Sequence, residues 1–224
     1  MPARPLPSPL PVMMPRITKV YKLYSLDTEV YNDDNLYREA FDSLSLSRRE
    51  KIKALRMRKD KNLSLGAGVL LDRGLKEYGL CERNMEYGFI QNKKPVFLNA
   101  PDVHFNISHS GTMAIAAFSD SPVGCDIEMC AKADLKLSDR FFTEREAELL
   151  HLLPEKERDG MFYRLWTIKE SYMKYTGEGM SLPLNAFEII FTPDGPQIER
   201  NGEHAHVKIT ELQSFPGYKC AVIN

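Results

Sequence analysis

Two hydrophobic periodicities alternate along the chain, and the points where one replaces the other mark its elements. Ile17 to Leu26, rich in branched and aromatic residues, predicts a first strand. After an acidic turn at Asn32 to Asn35, Leu36 to Leu44 has helical spacing, and a second helical span runs from Ser47 to Tyr78. Its later part, from Ser64, sets Leu65, Val69, Leu70, Leu75 and Leu80 on a helical period, and Gly79 marks the end. Gly88 to Phe97 reads as a hairpin turning at Asn92 to Pro95. Val103 to Ser108 and Met113 to Phe118 predict strands around a tight Ser-His-Ser-Gly corner, and the polar turn Ser119 to Pro122 is the clearest internal boundary. In Val123 to Met129, alternation puts Val123, Cys125, Ile127 and Met129 in one apolar row and leaves Gly124, Asp126 and Glu128 on the other face.

Further on, Lys132 to Ser138 is polar and reads as a loop, and Asp139 to Leu153 as a helix started by Ser138 or by a capping box of Thr143 and Glu146. A central helix opens at Phe162 and stops where Gly177, Gly179 and Pro183 follow in succession. Phe187 to Phe191, His206 to Thr210 and Tyr218 to Ile223 predict three closing strands, with turns at Pro193 to Pro196 and Phe215 to Gly217.

Composition narrows the class without naming a function. The 224 residues are 43% hydrophobic and 27% charged, an ordinary globular balance. A net charge of −1 argues against binding nucleic acid through bulk positive charge, so basic residues must act locally. Cys81, Cys125, Cys130 and Cys220 show neither zinc spacing nor a disulfide framework and suit a reducing cytoplasm. No apolar run reaches membrane-spanning length. The first fifteen residues hold six prolines and read as a disordered lead, with Met13 or Met14 as alternative starts.

Three stretches carry candidate chemistry. On the central helix, Trp166, Glu170 and Lys174 fall on one side with Lys169 beside them, a carboxylate between two ammonium groups. This is either an ion-pair rung strapping the helix down or part of a site. Asp126 and Glu128 on one strand face repel each other unless a cation neutralises them; with Glu170 they form a set of hard oxygen ligands that suits Mg²⁺. The other reading of the pair is an edge strand kept soluble by acid. From Arg48 to Lys61 eight basic residues cluster, which makes either a solvated helix face or a phosphate-binding rim.

Phe105-Asn-Ile-Ser-His-Ser-Gly111, Gly124-Cys-Asp-Ile-Glu128 and Trp166-Thr-Ile-Lys-Glu-Ser-Tyr-Met-Lys174, in this order and at these separations, resemble the three signature motifs of the Sfp-type 4′-phosphopantetheinyl transferases. The likeness runs from about Tyr21 to near the C-terminus. It implies an α+β fold of two similar halves related by a pseudo-two-fold axis, each a small antiparallel sheet packed with helices. The halves would be residues 16–121, on the 3′-phosphate and adenine side of coenzyme A, and 122–224, carrying the metal and catalytic residues, after the lead at 1–15. It implies an enzyme of the holo-acyl-carrier-protein synthase type. Such an enzyme moves the phosphopantetheine arm of coenzyme A to a serine of an apo acyl, peptidyl or polyketide synthase carrier protein and releases 3′,5′-ADP, as a cytoplasmic monomer.

By motif position, Arg48, Lys51 and Ser64 would take the 3′-phosphate, Lys94 would lie against the adenine, and Ser108 and His109 would face the cofactor phosphates, with Lys174 as a further cofactor contact. Asp126, Glu128 and Glu170 would hold Mg²⁺. Glu170 is the first candidate for the base, and Lys174 and Lys169 would offset phosphate charge. Two rival classes stay open: a coenzyme A or nucleotide binding module without catalysis, and a Mg²⁺-dependent phosphodiesterase or nuclease. The latter is disfavoured by the lack of a broad basic surface and of a histidine within the acidic set.

Overall fold

A computed structural model describes residues 21–90 and 94–224. The proline-rich lead, the start of the first predicted strand and the tip of the predicted hairpin lie outside the described residues. In chain order the elements of the first half are β1 (Lys22–Asp27), α1 (Asp34–Ser43), α2 (Leu46–Ala54), α3 (Arg58–Lys76), β2 (Tyr87–Ile90), β3 (Lys94–Phe97), β4 (His104–Ser110) and β5 (Met113–Ser119). The second half has β6 (Gly124–Met129), α4 (Leu135–Phe141), α5 (Glu144–Leu152), α6 (Glu155–Thr176), β7 (Glu188–Thr192), β8 (Gly195–Arg200), β9 (Glu203–His204), β10 (Ile209–Glu211) and β11 (Tyr218–Ile223).

Two antiparallel three-stranded sheets, ordered β1-β5-β4 and β10-β11-β6, form the frame, and each carries one long helix. Helix α3 packs on β5 and β1, and α6 packs on β6 and β11. Their apolar faces build two separate cores, one around Leu65, Leu71, Leu75 and Phe118, the other around Leu165, Ile168, Tyr172 and Ile223. A third core joins the halves, since Ile115 and Ala117 of β5 bury against Val123, Cys125, Ile127 and Val222. The row Val123, Cys125, Ile127 of the alternating strand is fully buried there, whereas Met129 at its end is exposed.

Several boundaries differ from the sequence expectation. The single helix expected over 47–78 is two, broken at Leu55–Met57, where no glycine or proline marks the break; Leu55 and Met57 are extended and cap the two helices. The expected loop over 132–138 already contains the start of α4, and the helix expected over 139–153 is two, α4 and α5. Helix α5 begins at the expected Thr143–Glu146 capping box. Strand β8 occupies residues expected to turn at Pro193–Pro196; the turn is tighter, pairing Thr192 with Gly195 and Phe191 with Pro196. The strands expected to complete the second sheet therefore divide: β7 joins β8 and β9 in a sheet of their own, and β10 and β11 pair with β6. Among the described residues, no helix is long and apolar enough to cross a membrane.

Candidate active site

The site lies where the two frames meet, between strands that share no backbone ladder. β4 and β6 are edges of different sheets, and side chains join them. Asn106 Oδ1 accepts from Cys125 N at 2.8 Å, Ser108 Oγ donates to Asp126 Oδ1 at 2.6 Å, and Ser110 Oγ donates to Glu128 Oε2 at 2.6 Å. Residue numbers climb together on both sides, so the strands run parallel along a side-chain seam. The backbone corner beyond it needs Gly111, at φ +61°, both for that conformation and because a Cβ would strike Tyr218 from β11, whose hydroxyl accepts from Thr112 N.

Helix α6 is brought to the seam by Gly124. A Cβ there would overlap the Ser171 carbonyl oxygen and the Tyr175 backbone, so only glycine lets β6 lie this close to the helix. Ser171 Oγ donates to Ala221 O at 3.0 Å and fixes the same approach from β11. With α6 so placed, Trp166, Glu170 and Lys174 face the seam, and Lys174 Nζ donates to Asp126 Oδ1 at 2.6 Å and Ser108 Oγ at 3.1 Å.

These groups line a cavity of about 620 Å³. Its acidic wall is Asp126, Glu128 and Glu170, its polar corner Ser108 and His109. Across from them stand Arg48 and Lys51 of α2 and Ser64 of α3, so three of the most separated predicted residues are gathered with the motif residues. Ser64 Oγ is buried with no hydrogen-bond partner, an acceptor and donor held ready for a ligand. Arg48 is steadied by the nearly fully buried Glu82, 3.7 Å away, which also accepts from Ser45 N and Ser45 Oγ at the start of α2. Sequence reasoning missed Glu82, which no motif marks.

Burial and the neighbouring charges set proton affinities here. Burial, with Asp126 close by, pushes the Glu170 carboxyl up against the opposing pull of Lys174. Burial raises Glu128 as well, helped by Asp126 and Glu170 and opposed by the Ser110 hydrogen bond. For Lys174, burial works to lower the ammonium, but Asp126 together with Cys125 and Glu170 outweighs it, and the group stays cationic to higher pH.

Two predicted residues lie elsewhere. Lys169 is fully buried on the other side of α6, 2.8 Å from Glu146 Oε1, and donates to Leu184 O at 2.8 Å and Phe187 O at 2.7 Å. One residue is about 100° of helix, which carries Lys169 off the face that Glu170 presents; the expected phosphate contact is corrected to a buried strut. Lys94 borders neighbouring cavities, its Nζ donating to Val123 O and Tyr175 O at 3.2 Å, and burial lowers its pKa to about 8.

The expected metal ligands share a wall but do not form a cage. Among the described residues, no three histidine, cysteine, aspartate or glutamate side chains stand close enough to hold an ion between them. Lys174 donates to one Asp126 oxygen, and Ser110 donates to one Glu128 oxygen. The donor chemistry nonetheless fits Mg²⁺, which takes one or two carboxylates and completes its shell with water and substrate phosphate. Asp126 Oδ2 is buried with no hydrogen-bond partner, an unmet acceptor that an incoming cation would satisfy.

Residues 122–223 match the model of the 4′-phosphopantetheinyl transferase superfamily. The 4′-phosphopantetheinyl transferase Sfp of Bacillus subtilis (strain 168) is 35% identical over 207 residues, covering 91% of each chain. The 4′-phosphopantetheinyl transferase ffp of Bacillus subtilis is 35% identical over 86% of this chain and 89% of its own. The 4′-phosphopantetheinyl transferase psf-1 of Bacillus pumilus is 31% identical over 90% of this chain and 88% of its own. A shared cavity built from all three motifs, and likeness along nine-tenths of the length, place the chain in the Sfp-type 4′-phosphopantetheinyl transferase family.

Proposed function

We propose that the chain transfers the 4′-phosphopantetheine arm of coenzyme A to a serine of an apo carrier protein and releases 3′,5′-ADP. The observation that supports this most directly is the single cavity in which a basic rim, an unpartnered hydroxyl and an acidic wall converge. Arg48, Lys51 and Ser64 bind the 3′-phosphate, and the Lys94–Pro95 step flanks the adenine. Since the Lys94 ammonium already serves two carbonyls, the strand rather than the charge forms that wall. Ser108 and His109 face the pyrophosphate.

Asp126, Glu128 and Glu170 would hold Mg²⁺, which would supply charge neutralisation for the pyrophosphate. The carrier serine oxygen bonds to the phosphorus that bears pantetheine, while the bond from that phosphorus to the 3′,5′-ADP oxygen breaks and its electron pair leaves with ADP. Glu170 takes the hydroxyl proton during attack. Lys174 stays charged beside the transferring phosphate, where a positioned cation acts most strongly. Acyl, peptidyl and polyketide synthase carriers are all acceptors of the right chemistry, and holo-acyl-carrier-protein synthase activity is one case. Both halves of the cavity come from one chain, so a monomer suffices, and four free cysteines suit the cytoplasm.

Mass spectrometry of an apo carrier incubated with the enzyme, coenzyme A and Mg²⁺ tests the reading. The expected result is one phosphopantetheine on the carrier serine with equimolar 3′,5′-ADP. Cofactor binding without ADP release would leave only a binding module, and ADP formed without carrier modification would indicate hydrolysis.

A further inference from the structure

The two serines of the β4 corner match the two acids of β6 rung for rung, but only one of them has a place in the reaction. Ser108 Oγ receives Lys174 Nζ and faces the cofactor side. Ser110 Oγ is committed to the seam: it donates to Glu128 Oε2 at 2.6 Å and accepts from Met129 N at 3.1 Å. Its hydroxyl thus spans the side chain of one β6 residue and the backbone of the next, tying the carboxylate to the strand that carries it. Glutamate has three rotatable side-chain bonds, and a carboxylate that is free to swing must be ordered before it can serve as a ligand. Here one oxygen is held by a short charge-assisted bond on a residue that lines the cavity.

We infer that Ser110 is a positioning residue, pre-setting the Glu128 carboxylate for the divalent cation that coenzyme A brings into the seam. The inference rests on the proposed reading of Asp126, Glu128 and Glu170 as cation ligands. Partners that orient metal ligands typically change affinity 10–100-fold when removed. The hydroxyl and not the volume is what matters, so threonine should replace serine and alanine should not.

Mn²⁺ is the probe, its free concentration followed by electron paramagnetic resonance with coenzyme A present, for the parent, Ser110→Ala, Ser110→Thr and Glu128→Gln. Coenzyme A affinity in chelator, measured on the same proteins, reports whether the pocket is intact. The expected result is Mn²⁺ affinity roughly 10–100-fold weaker in Ser110→Ala and near the parent in Ser110→Thr, with chelator-condition coenzyme A affinity unchanged throughout. Parent-like Mn²⁺ binding in Ser110→Ala, beside loss in Glu128→Gln, would overturn the positioning role and leave the cation reading standing. Equal weakening by alanine and threonine, or loss of coenzyme A binding in chelator by Ser110→Ala, would overturn it as a purely structural stitch. A parent that takes up no Mn²⁺ with coenzyme A would overturn both readings.

Discussion

The proposed reaction needs Glu170 ionised where burial and a neighbouring Asp126 favour its proton, and that tension has a measurable sign. An acid whose proton affinity rises on folding weighs nothing against the fold at acid pH, where both states are protonated. The penalty grows as pH climbs from the ordinary carboxylate range to the raised folded value, and is full above it. In chelator, Glu170→Gln should therefore melt above the parent at neutral pH, with the gap closing toward about pH 4. A variant that melts below the parent across the whole range would contradict the placement of Glu170 in a partly buried acidic wall. Ser110 shows what was legible at this scale and overlooked: alternation on β4 puts it on the same face as Ser108, as Glu128 is with Asp126, so the two pairs could have been matched from period two alone. Glu82 had no such signal, because the contact to Arg48 bridges 34 positions with no periodic relation between them.

Helix α6 shows how much an element's pattern conveys and where it stops. Its glycine stop and the shared face of Trp166, Glu170 and Lys174 follow from spacing, because each depends on local geometry, whereas the helix begins at Glu155 and not at the expected Phe162. The fate of Lys169 depends on what packs on the far side, namely Glu146 of α5 and the carbonyls before β7, and those distant contacts leave no mark in the helix's own sequence. β8 escaped for a related reason: Gly195 and Pro196 look like turn residues, and only the register with β7 shows them as strand. Glu146 is also held by Ile189 N and Thr143 N, so removing Lys169 strands a buried carboxylate among neutral donors. Lys169→Met should cost about 3–5 kcal/mol. In a chain of this size that is a drop in Tm of roughly 10 °C. The folded fraction, assayed well below the transition, should keep kcat within about threefold, since nothing in the transfer step touches Lys169. A large loss of kcat at unchanged Tm would return Lys169 to the chemistry.

At the scale of the molecule, function follows from a division of labour across a seam that neither half completes. The first half contributes the basic rim, the free Ser64 hydroxyl and the serine corner, and the second contributes the acids and Lys174. We propose residues 16–121 and 122–224 as the two halves; their shared core around Ile115, Cys125, Ile127 and Val222 holds the two walls of the cavity at fixed separation. The frame of one long helix on three strands occurs twice, but the residues do not repeat with it, because packing needs only apolar positions and not the same side chains. The division makes a kinetic claim, tested by titrating coenzyme A at saturating apo carrier for the parent, Arg48→Ala and Glu170→Gln. The account predicts a KM for coenzyme A raised roughly tenfold with kcat little changed for Arg48→Ala. For Glu170→Gln it predicts a kcat at least about 100-fold lower at near-parent KM. Near-normal turnover by Glu170→Gln, or an unmoved KM in Arg48→Ala, would contradict it.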